Sequence, residues 1–212
     1  VEKPASHNIW EGRKMVQAAR KYGRVVQADL DMRSRCFNDR AFEYLHSGAL
    51  GRILVVRGFC YKARTSIGKT DGRGHIPETV DYDLWCGPAE KLPIDRSELH
   101  YDWHWVWNTG NGELGNNGAH QLDQILWMLR ERGLPRRVMS VGGRFGLKDA
   151  GQTPNTQIVF CDFPSAPVIY EVRGLPDKPG SQQMDTYAAT AATGVTIRNR
   201  WSGRGPNTGL II

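Results

Sequence analysis

The stretch NTGNGELGNNGAHQLD at residues 108–123 sets glycines and side-chain amides ahead of a histidine and a carboxylate, then runs into an apolar segment. Ala119, Leu122, Leu126 and Leu129 recur at three- and four-residue spacing, which predicts a helix opening near His120. An imidazole on the first turn of a helix meets the partial positive charge of the N-terminus. That charge favours its neutral, proton-accepting form. Asp123 and Trp127 share a stripe with His120, so a carboxylate one turn on can orient the ring. The competing reading is a histidine that caps a helix and does nothing else.

Gly110, Gly112 and Gly115 in the same stretch fit the spacing of a dinucleotide-binding loop. Such a loop follows a short apolar strand directly. Here the preceding residues are HYDWHWVWN, and Val138 to Val141 is followed by glycines and Arg144 in place of an acidic residue. The context excludes the nucleotide loop. In an extended chain Tyr101, Trp103, Trp105 and Trp107 would share one face. Two of these rings read as core, and Trp107, nearest the catalytic stretch, reads as a wall able to stack on a sugar ring. His100, Asp102 and His104 carry metal-ligand chemistry. Residues four apart in a strand, however, lie more than about 12 Å apart, which argues against one shared ion. No metal is expected.

The 212 residues are 40% hydrophobic and 24% charged, an ordinary balance for one globular unit or slightly more. No apolar run is long enough to span a membrane. VEKPASHN at the start has neither a basic nor an apolar signal region. The net charge of +6 is scattered, Arg136-Arg137 being its densest point, and this argues against nucleic acid. The four cysteines form no C-x-x-C spacing. Reduced thiols and a cytoplasmic setting follow, with Cys60 and Cys161 buried on strands; a removed export signal stays open.

The elements that must position these residues read as follows. Residues 8–22 form an amphipathic helix with Ile9, Val16, Ala19 and Tyr22 on one face, an Asn8–Glu11 capping box and Gly23 as its stop. Residues 24–28 read as a short strand, 38–47 as a helix and 52–61 as a strand bearing Ile53, Val55, Phe59 and Tyr61. Residues 62–100 make a long surface excursion. Strands follow at 138–142, 156–163 and 168–173, the last two joined by PSAP as a hairpin. Past residue 197 the alternation is lost. The fold class is therefore α/β of the α+β kind: a mostly antiparallel open sheet with helices on one face.

Glu2-Lys3-Pro4 ahead of the capped helix, VVQADLDMRS with Gln27 and Arg33, and the Asn116–Asp123 stretch occur in an order that resembles the Gfo/Idh/MocA oxidoreductases. SGALGRILVVRG, VDYDLWCGPAEKLP and TPNTQIVFCDFP support this. The resemblance implies that residues 1–33 are the last strand-helix-strand of a Rossmann-type NAD(P)-binding domain whose remainder is missing. It implies that residues 34–212 are the C-terminal substrate and dimerisation domain, cut short at its end. Such a chain binds NAD or NADP poorly by itself.

The resemblance also assigns roles. His120 takes the proton of a substrate hydroxyl, and Lys3 lies between substrate and cofactor. Glu2, Lys3 and Pro4 face the cofactor, and Arg33, Asp123 and Trp107 face the substrate. Asn116 stands where the family has an aspartate, and an amide carries no proton. Slower chemistry, another substrate class, or rescue by Asp123 or Glu113 follow as alternatives. The implied function is oxidation of a sugar- or polyol-like alcohol. The alternatives are a non-catalytic dimerisation module and an NAD-dependent glycosidase. A homodimer through the sheet is expected, with Val55, Phe59, Tyr61, Ile158, Phe160 and Ile169 contributing.

Overall fold

The structure, a computed structural model, describes residues 1–175 and 208–212. Helix α1 (Ile9–Lys21) starts where the sequence places it. The Asn8 side chain accepts from the Glu11 N–H at 2.9 Å, and Glu11 accepts in return from Asn8 Nδ2 at 2.8 Å. Gly23, at φ +59°, turns the chain out of the helix. No residue of α1 is buried, and Ile9, Trp10, Val16 and Tyr22 all stand exposed. Residues 24–28, expected as a strand, are extended but form no strand. A ladder needs a neighbour, and among the described residues Val1 is the one that bonds alongside: its ammonium donates to Gln27 O and its carbonyl accepts from Asp29 N.

Helix α2 (Cys36–His46) leads to strand β1 (Val56–Cys60), which is shorter than its apolar run suggested. The excursion that follows holds one short helix, α3 (Tyr82–Cys86), capped by Asp81. After helix α4 (Ala119–Leu129) come β2 (Val138–Gly143), β3 (Thr156–Asp162) and β4 (Pro167–Arg173). The hairpin across PSAP forms with Asp162 opposite Pro167. Strand β5 (Thr208–Ile211) completes a sheet of order β2-β3-β4-β1-β5, antiparallel except between β1 and β4. Residues 208–211 were expected to lose strand character. They pair with β1 nevertheless, because ladder bonds use backbone groups and need no side-chain alternation. The rest of that stretch, residues 197–207, lies outside the described residues.

One sheet face carries the core. Val56, Cys60, Val159, Cys161, Val168, Tyr170 and Val172 pack against Ile125, Met128 and Leu129 of α4 and Phe42 of α2. The packing stripe of α4 is thus rotated from the one expected: Leu122 and Leu126 sit only at its margin, and Ile125 and Met128 occupy its centre. Gly58 makes room for the Tyr170 ring, since a Cβ there would lie 2.6 Å from it. The buried Tyr170 hydroxyl then donates to Gln121 Oε1 at 2.8 Å, pinning α4 to the sheet. Tyr170→Phe leaves that amide oxygen without its donor, and a loss of about 1–3 kcal/mol is expected in urea unfolding. On the opposite face Phe59 and Tyr61 are buried with Ile211 in a small separate cluster, while Met139, Val141 and Ile158 are exposed.

Candidate active site

The segment before α4 is helical too. Winding begins at residue 112, and Leu114–Gly118 forms a π-helix that runs on into α4. His120 therefore does not sit on a first turn, and the helix N-terminus does not set its protonation. Burial does: it holds the imidazole below the ordinary histidine value, with Asp31 opposing and Lys3 reinforcing the shift. The widened π turn places the consecutive amides of Asn116 and Asn117 on the site side of the helix.

Lys3 and Asn116 meet across most of the chain. Lys3 Nζ donates to Asn116 Oδ1 at 2.5 Å, and Asn116 Nδ2 reaches Glu113 Oε1 at 3.4 Å. Glu113 is buried and bound by Arg64 through two bonds of 2.8 and 3.0 Å, and it also accepts from Asn117 Nδ2. Lys62 Nζ donates to Asn117 Oδ1 at 2.8 Å. Partial burial lowers the Lys3 ammonium, and nearby Lys62 and Arg64 add to this against Glu2 and Glu113. The result is a line, Lys3–Asn116–Glu113–Arg64, in which the asparagine serves both neighbours. Its oxygen accepts from an ammonium and its nitrogen faces a carboxylate, a division that an aspartate could not make.

Asp123 does not orient His120. It is held by Arg33 in a two-point pair of 2.7 and 2.6 Å. The carboxylate facing His120 is Asp31, from the 3₁₀ turn Asp31–Ser34, at 3.3 Å from Nδ1. That approach lacks hydrogen-bond geometry, so Nδ1 is buried without a bonded partner. A turn of i to i+3 geometry ten residues past α1 leaves no periodic signal, which is why Asp31 was not read from the sequence. Lys62 and Arg64 were missed for a related reason: they lie just beyond β1 and reach the helix only in the folded chain.

Glu2 is exposed and accepts from the Lys3 N–H at 3.2 Å, and the Lys3–Pro4 peptide is cis. Pro4 borders an open cleft of about 800 Å³ whose walls include His7, Trp85, Trp103 and Trp107. Trp107 is half-exposed there, along a cleft whose lining does not include Lys3, Asn116 or His120. The aromatic run is not extended. A 3₁₀ turn at Asp102–Trp105 breaks the alternation, buries Trp105 and stacks Trp103 on His104 at 3.7 Å between ring centroids. His104 Nδ1 is bonded to the Tyr101 carbonyl, and among the described residues no group of His, Cys, Asp and Glu is placed to hold a metal. The glycines of the apparent nucleotide loop serve packing instead. A Cβ on Gly110 would lie 2.5 Å from two backbone carbonyl oxygens, and Gly115 belongs to the π-helix.

Fold comparison gives structures of similar architecture. One is the WlbA dehydrogenase from Bordetella pertussis in complex with NADH and UDP-GlcNAcA, 18% identical with a TM-score of 0.57, over 85% of this chain and 46% of that one. GenD2 from gentamicin A biosynthesis, in complex with NAD, is 20% identical with a TM-score of 0.57, over 95% of this chain and 50% of its own. An NAD binding oxidoreductase from Klebsiella pneumoniae gives 18% and 0.56, over 84% and 42%. The chain spans half or less of the length of these proteins. No curated protein matches it. The model of an oxidoreductase family's C-terminal alpha/beta domain matches residues 44–150, just over half of the chain. On that match, and with the open sheet and helix order described above, this chain belongs to the Gfo/Idh/MocA family of oxidoreductases and carries its C-terminal α/β domain.

Proposed function

We propose that the chain supplies the substrate side of a nicotinamide-dependent oxidoreductase acting on a sugar- or polyol-like alcohol. The observation that carries this reading is the meeting of Lys3 with Asn116 at 2.5 Å beside His120, whose Nδ1 is buried and unbonded. His120, neutral through burial, takes the proton of the substrate hydroxyl, and the Lys3 ammonium stabilises the oxygen as negative charge develops on it. Asn116 and Glu113 hold Lys3 in place. Arg33 fixes Asp123, and the half-exposed Trp107 offers a ring face along the cleft. NAD or NADP, when bound, accepts the hydride.

Glu2, Lys3 and Pro4 are the residues proposed to meet that cofactor, and the cleft that opens at Pro4 is of a size that takes such a group. Residues 1–33 are proposed as the closing strand-helix-strand of a nucleotide-binding domain. Helix α1, with no residue buried and Ile9, Trp10, Val16 and Tyr22 bare, supports a further packing partner for this segment. The relatives solved with NADH and NAD support the cofactor class. The test is turnover of a panel of sugars and polyols with NAD⁺ and with NADP⁺, read from nicotinamide absorbance, in a form that carries a complete nucleotide-binding domain. Turnover of at least one alcohol is expected, and reduction by none of them would overturn the reading.

A homodimer through the open sheet face is proposed with it. Met139, Val141 and Ile158 lie exposed there on adjoining strands, whereas Phe59 and Tyr61, also expected to contribute, are already buried within the chain. A sedimentation profile at tens of micromolar should show a dimer, and Val141→Asp should shift it to monomer. A strictly monomeric parent would end the idea.

A further inference from the structure

The charges around the helix amides do not balance. Lys3, Lys62 and Arg64 converge on Asn116, Asn117 and Glu113, and Arg64 already holds the Glu113 carboxylate through two bonds. Both ammonium groups end on neutral amide oxygens. Glu2 stands beside Lys3, and Asp31, on the far side of His120, is tied to Arg35 at 2.7 Å. Among the described residues Lys62 makes no ion pair with a carboxylate; its Nζ donates to Asn117 Oδ1 at 2.8 Å. Asn116 and Asn117 are amides and bring no negative charge to the two lysines that meet them. A part-buried ammonium facing neutral groups gains most from an anion brought to it.

We propose that Lys62 binds a carboxylate of the substrate, so that the alcohol oxidised belongs to a sugar acid. This deepens the functional reading above and rests on its placement of the substrate beside His120. The substrate hydroxyl meets His120 and Lys3 while its carboxylate lies against Lys62 beside Asn117. Asn117 holds Lys62 in place through its oxygen, and the Glu113–Arg64 pair fixes both amides from behind.

The probes are D-glucuronate and D-glucose, titrated by calorimetry into the protein with NAD⁺ present. Glucuronate should bind at least about tenfold tighter at low salt, and the preference should shrink as salt rises. Lys62→Gln should bring the two sugars within about twofold, and Lys62→Arg should keep the preference. If Lys62→Gln fails to fold, the salt dependence of the parent and the Lys62→Arg result decide. Equal binding of the two sugars, binding of neither, or a preference untouched by Lys62→Gln would overturn the proposal. Failure of the oxidoreductase reading looks different: glucuronate would bind through Lys62 while no alcohol reduced the nicotinamide.

Discussion

His120→Ala is expected to lower turnover by about 10²- to 10⁴-fold in a catalytically competent form, the usual worth of a positioned general base. The melting temperature should hold, because the packing stripe of α4 is carried by Ile125, Met128 and Leu129 and excludes His120. Burial keeps the imidazole below the ordinary histidine value, so kcat/KM should stay level down to about pH 6.5 and fall only below it. Full activity combined with a lowered melting temperature would show the residue to be structural. The companion is Asn116→Asp. It sets a carboxylate next to that of Glu113, where the asparagine now offers an N–H at 3.4 Å, and like charges that close disfavour joint ionisation. Turnover should therefore fall. A rise would mean that Glu113 does not supply the charge that Asn116 lacks.

Asp149→Ala should cost about 3–5 kcal/mol, measured by urea unfolding at neutral pH. The Asp149 side chain is fully buried and accepts from Arg144 at 2.8 and 2.6 Å, from Ile67 N at 2.9 Å and from Gly151 N at 3.0 Å. Removal strands the Arg144 guanidinium, itself 11% exposed, without its counter-charge. Burial alone would raise the Asp149 carboxyl, but Arg144 and the two backbone donors outweigh it and hold it below the usual aspartate range. Its contribution is then complete above the unfolded aspartate value, about pH 3.9, and is lost as pH falls through the lower folded value. The parent should lose this stability on acidification, and Asp149→Asn should lose less over the same range. Equal acid sensitivity of both would place the effect elsewhere.

Features written within one turn or one hairpin were legible in the sequence. The Asn8–Glu11 cap, the stop at Gly23, the helix carrying His120 and the PSAP hairpin each depend on residues a few positions apart, and each stands in the structure. Lys3, Asn116 and His120 were grouped at the level of sequence through the order of separate motifs. The structure joins Lys3 directly to Asn116. Legibility failed where the backbone changed its winding. Glycines and amides at 110–118 read as a loop, yet the chain winds from residue 112 and Leu114–Gly118 forms a π-helix, in which Gly115 and Gly118 pack where a larger residue would not fit. His120 lost its helix N-terminus by the same change.

The sequence by itself determined which chemical groups were available and which short elements would carry them, since periodicity and capping act over four residues. Only the tertiary structure decided the pairing. Asp123 turned to Arg33, ninety residues away, and left Asp31 to face the imidazole. Glu113, Arg64 and Lys62 closed around the asparagines because β1 lies beside β4 under the helix, bringing the residues after β1 to the π turn. The same sheet order put residues 208–211 on the free edge of β1, where backbone bonds alone suffice. A carboxylate is bound by whichever cation the fold brings to it, and no spacing along the chain records that choice.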